Sequence, residues 1–371
     1  MSLLSVAIVA GARPNFMKIA PILRALDEHG GFASTLIHTG QHYDTKLSDV
    51  FFDELQIRKP DVRLSISGST HGEQTAEILR STESVFVKGD SSGKPFNCVV
   101  VVGDVNSTMA AALAAAKLRI PVAHVEAGLR SRDRSMPEEI NRLVTDSISD
   151  LLLASEPAAV ENLHAEGHPE DRVFLVGNVM IDTLKTFLPK ATLLPTLSTF
   201  GLRPREYAVV TLHRPSNVDD AGVLSGIIDV LLRVSRRLPV VFPLHPRTQS
   251  RLESFGLFGR LQSENDIRVT EPLGYMDLLC LNSQAKVLIT DSGGLQEEST
   301  ALGVPCLTMR ENTERPVTVD EGTSTLIGHD PELLDAGLNN VISGTYKVGH
   351  CPKLWDGHAA ERIADILAQR L

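Results

Sequence analysis

Short continuous apolar runs alternate with amphipathic stretches along most of this chain. Residues 5–10 (SVAIVA) read as a strand. The stretch 15–29 (NFMKIAPILRALDEH) returns apolar side chains at helical spacing until Gly30–Gly31 stops it. ASTLIHTG and NCVVVVGD are further strands, STMAAALAAAKL is helical, and PVAHVEAG is a strand again. SMPEEINRLVTDSISDLLLA (135–154) opens on a Ser-x-x-Glu pattern at Ser135 and Glu138, which predicts a capping box and a helix through the segment. Strands apolar throughout, separated by helices, indicate a parallel sheet covered on both faces.

The pattern restarts after RVFLVGN (172–178) and a weakly patterned, Pro-containing stretch around 188–205. YAVVTLHR, PVVFPLHP, IRVTEPL, AKVLITDSGG and PCLTMR are strands of a second lobe, with helices such as GVLSGIIDVLLRVSRRL between them. A chain of 371 residues exceeds the usual growth of one hydrophobic core. The expected fold is therefore α/β, with two Rossmann-like, doubly wound parallel-sheet domains facing across a cleft. The first spans 1–180 and the second 181–355. The final helix, about 356–371, is free to pack on either.

The formal net charge of −10 argues against non-specific binding to nucleic acid or anionic membranes, and requires any site for an anion to gather cations locally. No run of about 18 apolar residues suggests a membrane span. The opening MSLLSVAIVAGARPN lacks a basic leader region and reads as a first strand rather than a signal peptide. Cys98, Cys280, Cys306 and Cys351 show no CxxC spacing and read as free thiols of a cytoplasmic protein. The first strand is not followed by GxGxxG, GDSSGKP departs from P-loop spacing, and no Cys/His/Asp spacing suggests zinc, so no cofactor or metal is expected.

In open parallel sheets ligands bind outside the carboxyl ends of the strands. The conspicuous polar residues sit there: Arg13, Gln41–His42, Asp104 and Glu126 in the first lobe, and His213–Arg214, His245, Asp291–Ser292 and Arg310 in the second. DSGGLQEES reads as a glycine-rich turn opening a helix, whose amides at Ser292, Gly293 and Gly294 suit a phosphate. Glu298, one turn on, suits ribose hydroxyls; the plain alternative is an ordinary Ser-capped helix. Arg13, Lys18, Arg214 and Arg315 supply positive charge. Asp104, Glu126 and Glu138 are carboxylates on βα connections of one lobe, the kind of crowding that separates an acid from a base. Asp104 has an N-cap alternative and Glu138 the capping box; Glu126, between an apolar strand and Ala127–Gly128, has no such bland role.

In order, the stretches GARPNFMKIAPI, TGQHYD, GDVNSTMAAALAA, HVEAGLRS, MPEEINR, GNVMIDTL, VTLHRPSN, DSGGLQEE and TERP resemble the non-hydrolysing UDP-N-acetylglucosamine 2-epimerases, which share the GT-B architecture. The resemblance implies a homodimer acting on a UDP-sugar. UDP is eliminated to leave a 2-acetamidoglucal, and is added back after reprotonation on the opposite face. It implies catalytic roles for Asp104, Glu126, Glu138 and His213, and UDP-sugar contacts for Arg13, Lys18, Ser292, Gly293, Gly294, Glu298 and Arg315. It places Gln41, His42, Arg214 and His245 as candidates for a second, activating site. Departures occur at Pro215, Ser216, Leu273, Leu278 and Glu73, which leave open a modified UDP-sugar. A hydrolysing relative that releases ManNAc and UDP, and a GT-B glycosyltransferase, are the alternatives.

Overall fold

The computed structural model describes residues 3–40 and 52–371. The chain divides into two compact units, 1–183 with 353–371, and 184–352.

The first unit is built on a seven-stranded, all-parallel sheet of order β3-β2-β1-β4-β5-β6-β7. Its strands are β1 (Leu4–Ala10), β2 (Phe32–His38), β3 (Val62–Arg63), β4 (Cys98–Val102), β5 (Val122–Val125), β6 (Leu151–Ala154) and β7 (Val173–Leu175). Helices α1 (Arg13–His29), α2 (His71–Lys88), α3 (Asn106–Lys117), α4 (Pro137–Ile148) and α5 (Pro157–Ala165) cover it. Strand order reverses between β1 and β4, so the loops after these two strands diverge and open a crevice at their carboxyl ends. The alanines of α3, Ala111, Ala112 and Ala115 among them, are buried against Val99 and Val101 of β4, because small side chains let the helix settle close to the strand.

The single helix expected over 135–154 is two elements. α4 ends at Ile148, Ser149 takes an extended conformation, and LLLA is β6, hydrogen-bonded to β5 and β7 and wholly buried. A short apolar run buried on both faces carries no period, so it merges with the helix before it.

The second unit carries a six-stranded parallel sheet of order β10-β9-β8-β11-β12-β13. Its strands are β8 (Ala208–Thr211), β9 (Val240–Pro243), β10 (Ile267–Thr270), β11 (Val287–Thr290), β12 (Cys306–Thr308) and β13 (Ser324–Leu326). The chain enters it along α6 (Val179–Ala191). The longer helices that follow are α7 (Ala221–Ser235), α8 (Pro246–Ser254), α9 (Tyr275–Gln284), α10 (Gly293–Leu302) and α11 (Pro331–Ser343). The switch point lies between β8 and β11. Val210, Phe242, Ile289, Ile228 and Leu231 anchor its core, each worth about 1.5–3 kcal/mol on burial. Cys98, Cys280 and Cys306 are buried free thiols and Cys351 is exposed. No helix among the described residues is long and apolar enough to cross a membrane.

The last helix, α12 (Ala359–Arg370), packs on α1 of the first unit. Trp355 is buried just before it, with its indole N–H donating to the Ser155 carbonyl at 3.1 Å. The Asp182 carboxylate accepts the Ala359 and Ala360 amides at 3.2 and 2.7 Å, satisfying the first turn of α12. Burial nevertheless raises Asp182 to about 6, since desolvation outweighs these two hydrogen bonds. An acid whose folded pKa is raised costs stability as pH climbs from its unfolded value to its folded one, here from 3.8 to about 6. The cost is on the order of 3 kcal/mol. Asp182→Asn should therefore gain stability relative to wild type as pH is raised from 4 to 7. Urea titrations of both proteins across that window check this, and a difference independent of pH would contradict it.

Candidate active site

At the carboxyl edge of the first sheet, β1 leads straight into the start of α1. A Cβ at Gly11 would lie 2.0 Å from Ser107 Oγ, so only glycine fits this turn. Asn15 pins it: its Oδ1 accepts the Gly11 and Ala12 amides at 3.1 and 3.0 Å, while its Nδ2 donates to the Val102 carbonyl at 3.0 Å. With the turn held, Lys18 reaches across to Glu126 after β5 and forms an ion pair in which both side chains are buried. Glu126 Oε2 takes the lysine. Its Oε1 is buried and has no hydrogen-bond partner among the described residues. Glu126 also holds a left-handed backbone, φ 70°, a conformation that costs a side-chain-bearing residue about 1–2 kcal/mol and clusters at functional sites.

Asp104 follows β4. Its Oδ2 accepts from Arg142 Nη1 at 2.5 Å and its carbonyl from Asn141 Nδ2 at 2.8 Å. It is not an N-cap; Val105 holds that place, without a side-chain bond. The capping box at Ser135 and Glu138 is likewise absent. Pro137, with its fixed φ, occupies the first helical position, Met136 is the N-cap, and Ser135 Oγ instead donates to Asp133 at 2.6 Å. Glu138 is half-buried and makes no side-chain hydrogen bond among the described residues. The two bland alternatives for these carboxylates are thereby removed.

The carboxylate that does organise this loop is Glu139, which the motif reading passed over. It accepts the Ser131 and Arg132 amides at 2.9 and 3.0 Å and pairs with Arg142 at 2.8 Å. Burial raises its pKa, but Arg142 and the Ser131 bonds outweigh that and hold it below the usual range. Arg142 therefore bridges Glu139 to Asp104. Gln41 and His42 lie outside the described residues, as does the side chain of Arg13.

In the second unit the centre is Asp291, fully buried at the end of β11. Its Oδ2 accepts the His213 and Arg214 amides at 2.9 and 2.8 Å and Asn217 Nδ2 at 3.0 Å. Its Oδ1 meets His213 Nδ1 at 2.7 Å. Burial would raise Asp291, but the bonds and charge of His213 with the Arg214 amide keep it below the usual range. With Nδ1 engaged, Nε2 is the ring nitrogen that His213 has left for a ligand. His245 lies beside it, ring centroids 5.7 Å apart and planes tilted by 45°, and caps α8 by accepting the Arg247 amide at 3.2 Å. Burial, reinforced by His213, lowers its pKa.

The first-turn amides of α10 receive no side-chain cap from Ser292. A Cβ at Gly293 would stand 2.9 Å from Arg315 Nη1 and 3.0 Å from Glu314 Oε1, so a side chain here would have to displace that ion pair. Arg315 is buried and grips Glu297 and Glu314, each at 2.5 Å. Glu298 is buried behind the turn, and desolvation together with Glu297 raises it to about 8 against the counter-pull of Asn282.

A family model described as UDP-N-acetylglucosamine 2-epimerase matches residues 24–368. The chain is 41% identical over 369 residues to the UDP-N-acetylglucosamine 2-epimerase of Methanocaldococcus jannaschii, covering 98% of this chain and 99% of that protein. It is 38% identical over 366 residues to the UDP-2,3-diacetamido-2,3-dideoxy-D-glucuronate 2-epimerase of Pseudomonas aeruginosa, covering 97% and 98%. The crystal structure of the M. jannaschii UDP-GlcNAc 2-epimerase in complex with UDP-GlcNAc and UDP superposes with a TM-score of 0.88, covering 99% of this chain and 100% of that one. The paired doubly wound domains are those of the GT-B fold.

A carboxyl raised to about 8 by burial destabilises the fold as pH climbs from 4.5 to about 8, and adds nothing further above that. Glu298→Gln, neutral at every pH, should therefore match wild type near pH 5 and melt at a higher temperature at pH 9 in the absence of ligand. Differential scanning calorimetry at the two pH values decides this; equal melting temperatures at pH 9 would show that Glu298 is not held in a desolvated site.

Proposed function

The chain belongs to the UDP-N-acetylglucosamine 2-epimerase family, and from that premise we propose that it interconverts UDP-GlcNAc and UDP-ManNAc without net hydrolysis. The observation that carries the reading is Glu126: a buried carboxylate on a strained residue at a strand end, one oxygen on Lys18 and the other without a hydrogen-bond partner among the described residues.

The chemistry needs these residue types. The proton on the carbon bearing the acetamido group is not acidic, so removing it requires a positioned base. As the C2–H bond breaks, its electron pair forms the C1=C2 double bond and the C1–O bond electrons leave with UDP. Protonation of C2 from the other face and return of UDP to C1 complete the inversion. We assign the two proton transfers to the set Asp104, Glu126 and Glu138. Lys18 neutralises Glu126 in the resting site. In the second unit, the α10 amides at Ser292, Gly293 and Gly294 and His213 Nε2 stabilise the departing diphosphate. Glu298 accepts the ribose hydroxyls, a task that puts its desolvated carboxyl to use.

In heavy water, UDP-GlcNAc should return as a mixture of both UDP-sugars carrying deuterium at C2, with little free UDP. Stoichiometric free ManNAc would place the protein with the hydrolysing relatives; absence of deuterium with UDP release only on adding an acceptor would make it a glycosyltransferase. Glu126→Gln should lower kcat by about 10²–10⁴-fold while UDP binding, followed by calorimetry, persists. Wild-type turnover in that variant would remove Glu126 from the mechanism.

The likeness to the Pseudomonas enzyme supports a second reading, in which the sugar carries a further acetamido group at C3 and a carboxylate at C6. A panel of UDP-sugars followed by NMR separates the two. UDP-GlcNAc is expected to be the faster substrate, and a tenfold higher kcat/KM on the diacetamido uronate would reverse the assignment.

A further inference from the structure

Beneath the carboxylates of the first unit lies a buried His–Asp pair. His124 is the third residue of β5, in the apolar run VAHV, and is fully buried. Its Nδ1 lies 2.6 Å from Asp146 Oδ1 and its Nε2 lies 2.8 Å from the Gly103 carbonyl oxygen. A carbonyl only accepts, and Asp146 is held below the usual carboxylate range by His124 and Arg130 although burial pulls the other way. Both ring nitrogens therefore donate.

Asp146 is also fully buried. Its Oδ2 accepts the Gly128 amide at 3.0 Å and meets Arg130 Nη2 at 2.7 Å, and Arg130 is closed off by Glu166 at 2.6 Å. Every donor and acceptor in this group is engaged.

The ends of this network are its significance. Gly103 is the residue immediately before Asp104, and Gly128 is the second residue after Glu126. Gly103, Glu126 and Gly128 all hold left-handed backbones, with φ of 72°, 70° and 84°. These turns leave the extended strands before them while neighbouring strands still hold their amides: Glu126 and Ala127 both donate to the Leu153 carbonyl, at 3.0 and 3.3 Å. The Gly103 amide donates to the Val125 carbonyl at 3.0 Å, and the His124 ring catches the Gly103 carbonyl on its other side.

We propose that His124 and Asp146 are positioning residues that set the distance between the Asp104 turn and the Glu126 turn, so that the two proton-transfer groups address one carbon. This rests on the assignment of those carboxylates made above. The pair does not touch substrate; it acts through the Gly103 carbonyl and the Gly128 amide. A buried ion pair adds little net stability over apolar side chains of equal volume, so registry is the better account of its presence.

Two isosteric replacements separate the two bonds of the ring. Asn places its amide nitrogen near the position of Nδ1 and can keep the bond to Asp146, whereas Gln places its nitrogen near Nε2 and can keep the bond to Gly103. His124→Asn should lower kcat by about 100-fold, the loss typical of a displaced catalytic group, and His124→Gln by less than about tenfold. KM and the dissociation constant for UDP should stay within about threefold in both. The rate of deuterium exchange at C2 should fall in step with kcat. Wild-type kcat in His124→Asn would overturn the proposal, as would loss of UDP binding together with activity in both variants, which is the outcome of a merely structural role. Nitrogen-15 NMR of histidine-labelled wild-type protein needs no variant. It should show two slowly exchanging ring N–H groups from His124, and a ring carrying only one N–H overturns the proposal. Glu126→Gln run in parallel distinguishes the two levels. If it retains full turnover, the carboxylate assignment fails; if it is inactive while His124→Asn is fully active, only the positioning role fails.

Discussion

Every strand pairing in both sheets is parallel, and the central strands are buried on both faces; that constraint decides where charge can be placed. A polar side chain in the middle of β4 or β11 would have no water and few partners, so β4 is apolar along its length and β11 is apolar up to its last residue, Thr290. The first positions free of the constraint are the residues just past the carboxyl ends. Because the strands are parallel, those positions fall on one edge of each sheet, and at the reversal of strand order the loops part. Asp104, Glu126, His213 and Asp291 occupy such positions.

The buried charges at these edges divide by how completely they are compensated. Asp291, with three hydrogen bonds to one oxygen and the His213 ion pair on the other, and Glu314, gripped by Arg310 and Arg315, are both held below the usual carboxylate range against the effect of burial. Removing one partner from such a pair costs about 3–5 kcal/mol, which makes these groups structural fixtures. Glu126 and Glu298 are compensated less. One oxygen of Glu126 has no hydrogen-bond partner among the described residues, and Glu298 is pushed upward by burial. Incomplete satisfaction is a cost to the fold, and it is tolerated where an incoming ligand supplies the missing partners.

Much of this was legible in the residues. Apolar runs such as SVAIVA and CVVVV identified strands, and the polar residue after each run marked the site edge. Features that depend on long-range contacts were not. LLLA looks the same as the end of a helix or as a strand until β5 and β7 are seen beside it. Ser135 and Glu138 have the spacing of a capping box, but with Pro137 at the first helical position the helix starts one residue later and the pattern is not used. Glu139 stands next to Glu138 in the chain with the same chemistry; only the fold sends one to Arg142 and leaves the other without a side-chain partner among the described residues. His124 sits within an apolar strand, where one histidine signals nothing until Asp146, 22 residues on, is brought to 2.6 Å.

The left-handed residue at 126 shows how these demands rank. At 103 and 128 a positive φ is met by glycine, and at 128 nothing else fits, because a Cβ would stand 2.3 Å from the Ala159 carbonyl. Position 126 lies between them with the same backbone sign, and glycine there would relieve about 1–2 kcal/mol of strain. A glutamate occupies it instead, buried, with its charge met on one side by Lys18. Backbone preference, burial and hydrogen-bond satisfaction all disfavour a carboxylate at this point. Neither capping nor packing among the described residues explains its presence, since Glu126 caps no helix there and its Oε1 has no hydrogen-bond partner among them. That leaves the role proposed above, in what the carboxylate does to something the protein binds, as the account of its presence. The cost is kept small by the rigidity around it: Asn15 fixes the turn that launches Lys18, and Asp146 fixes Gly128, so the strained residue has one conformation rather than several.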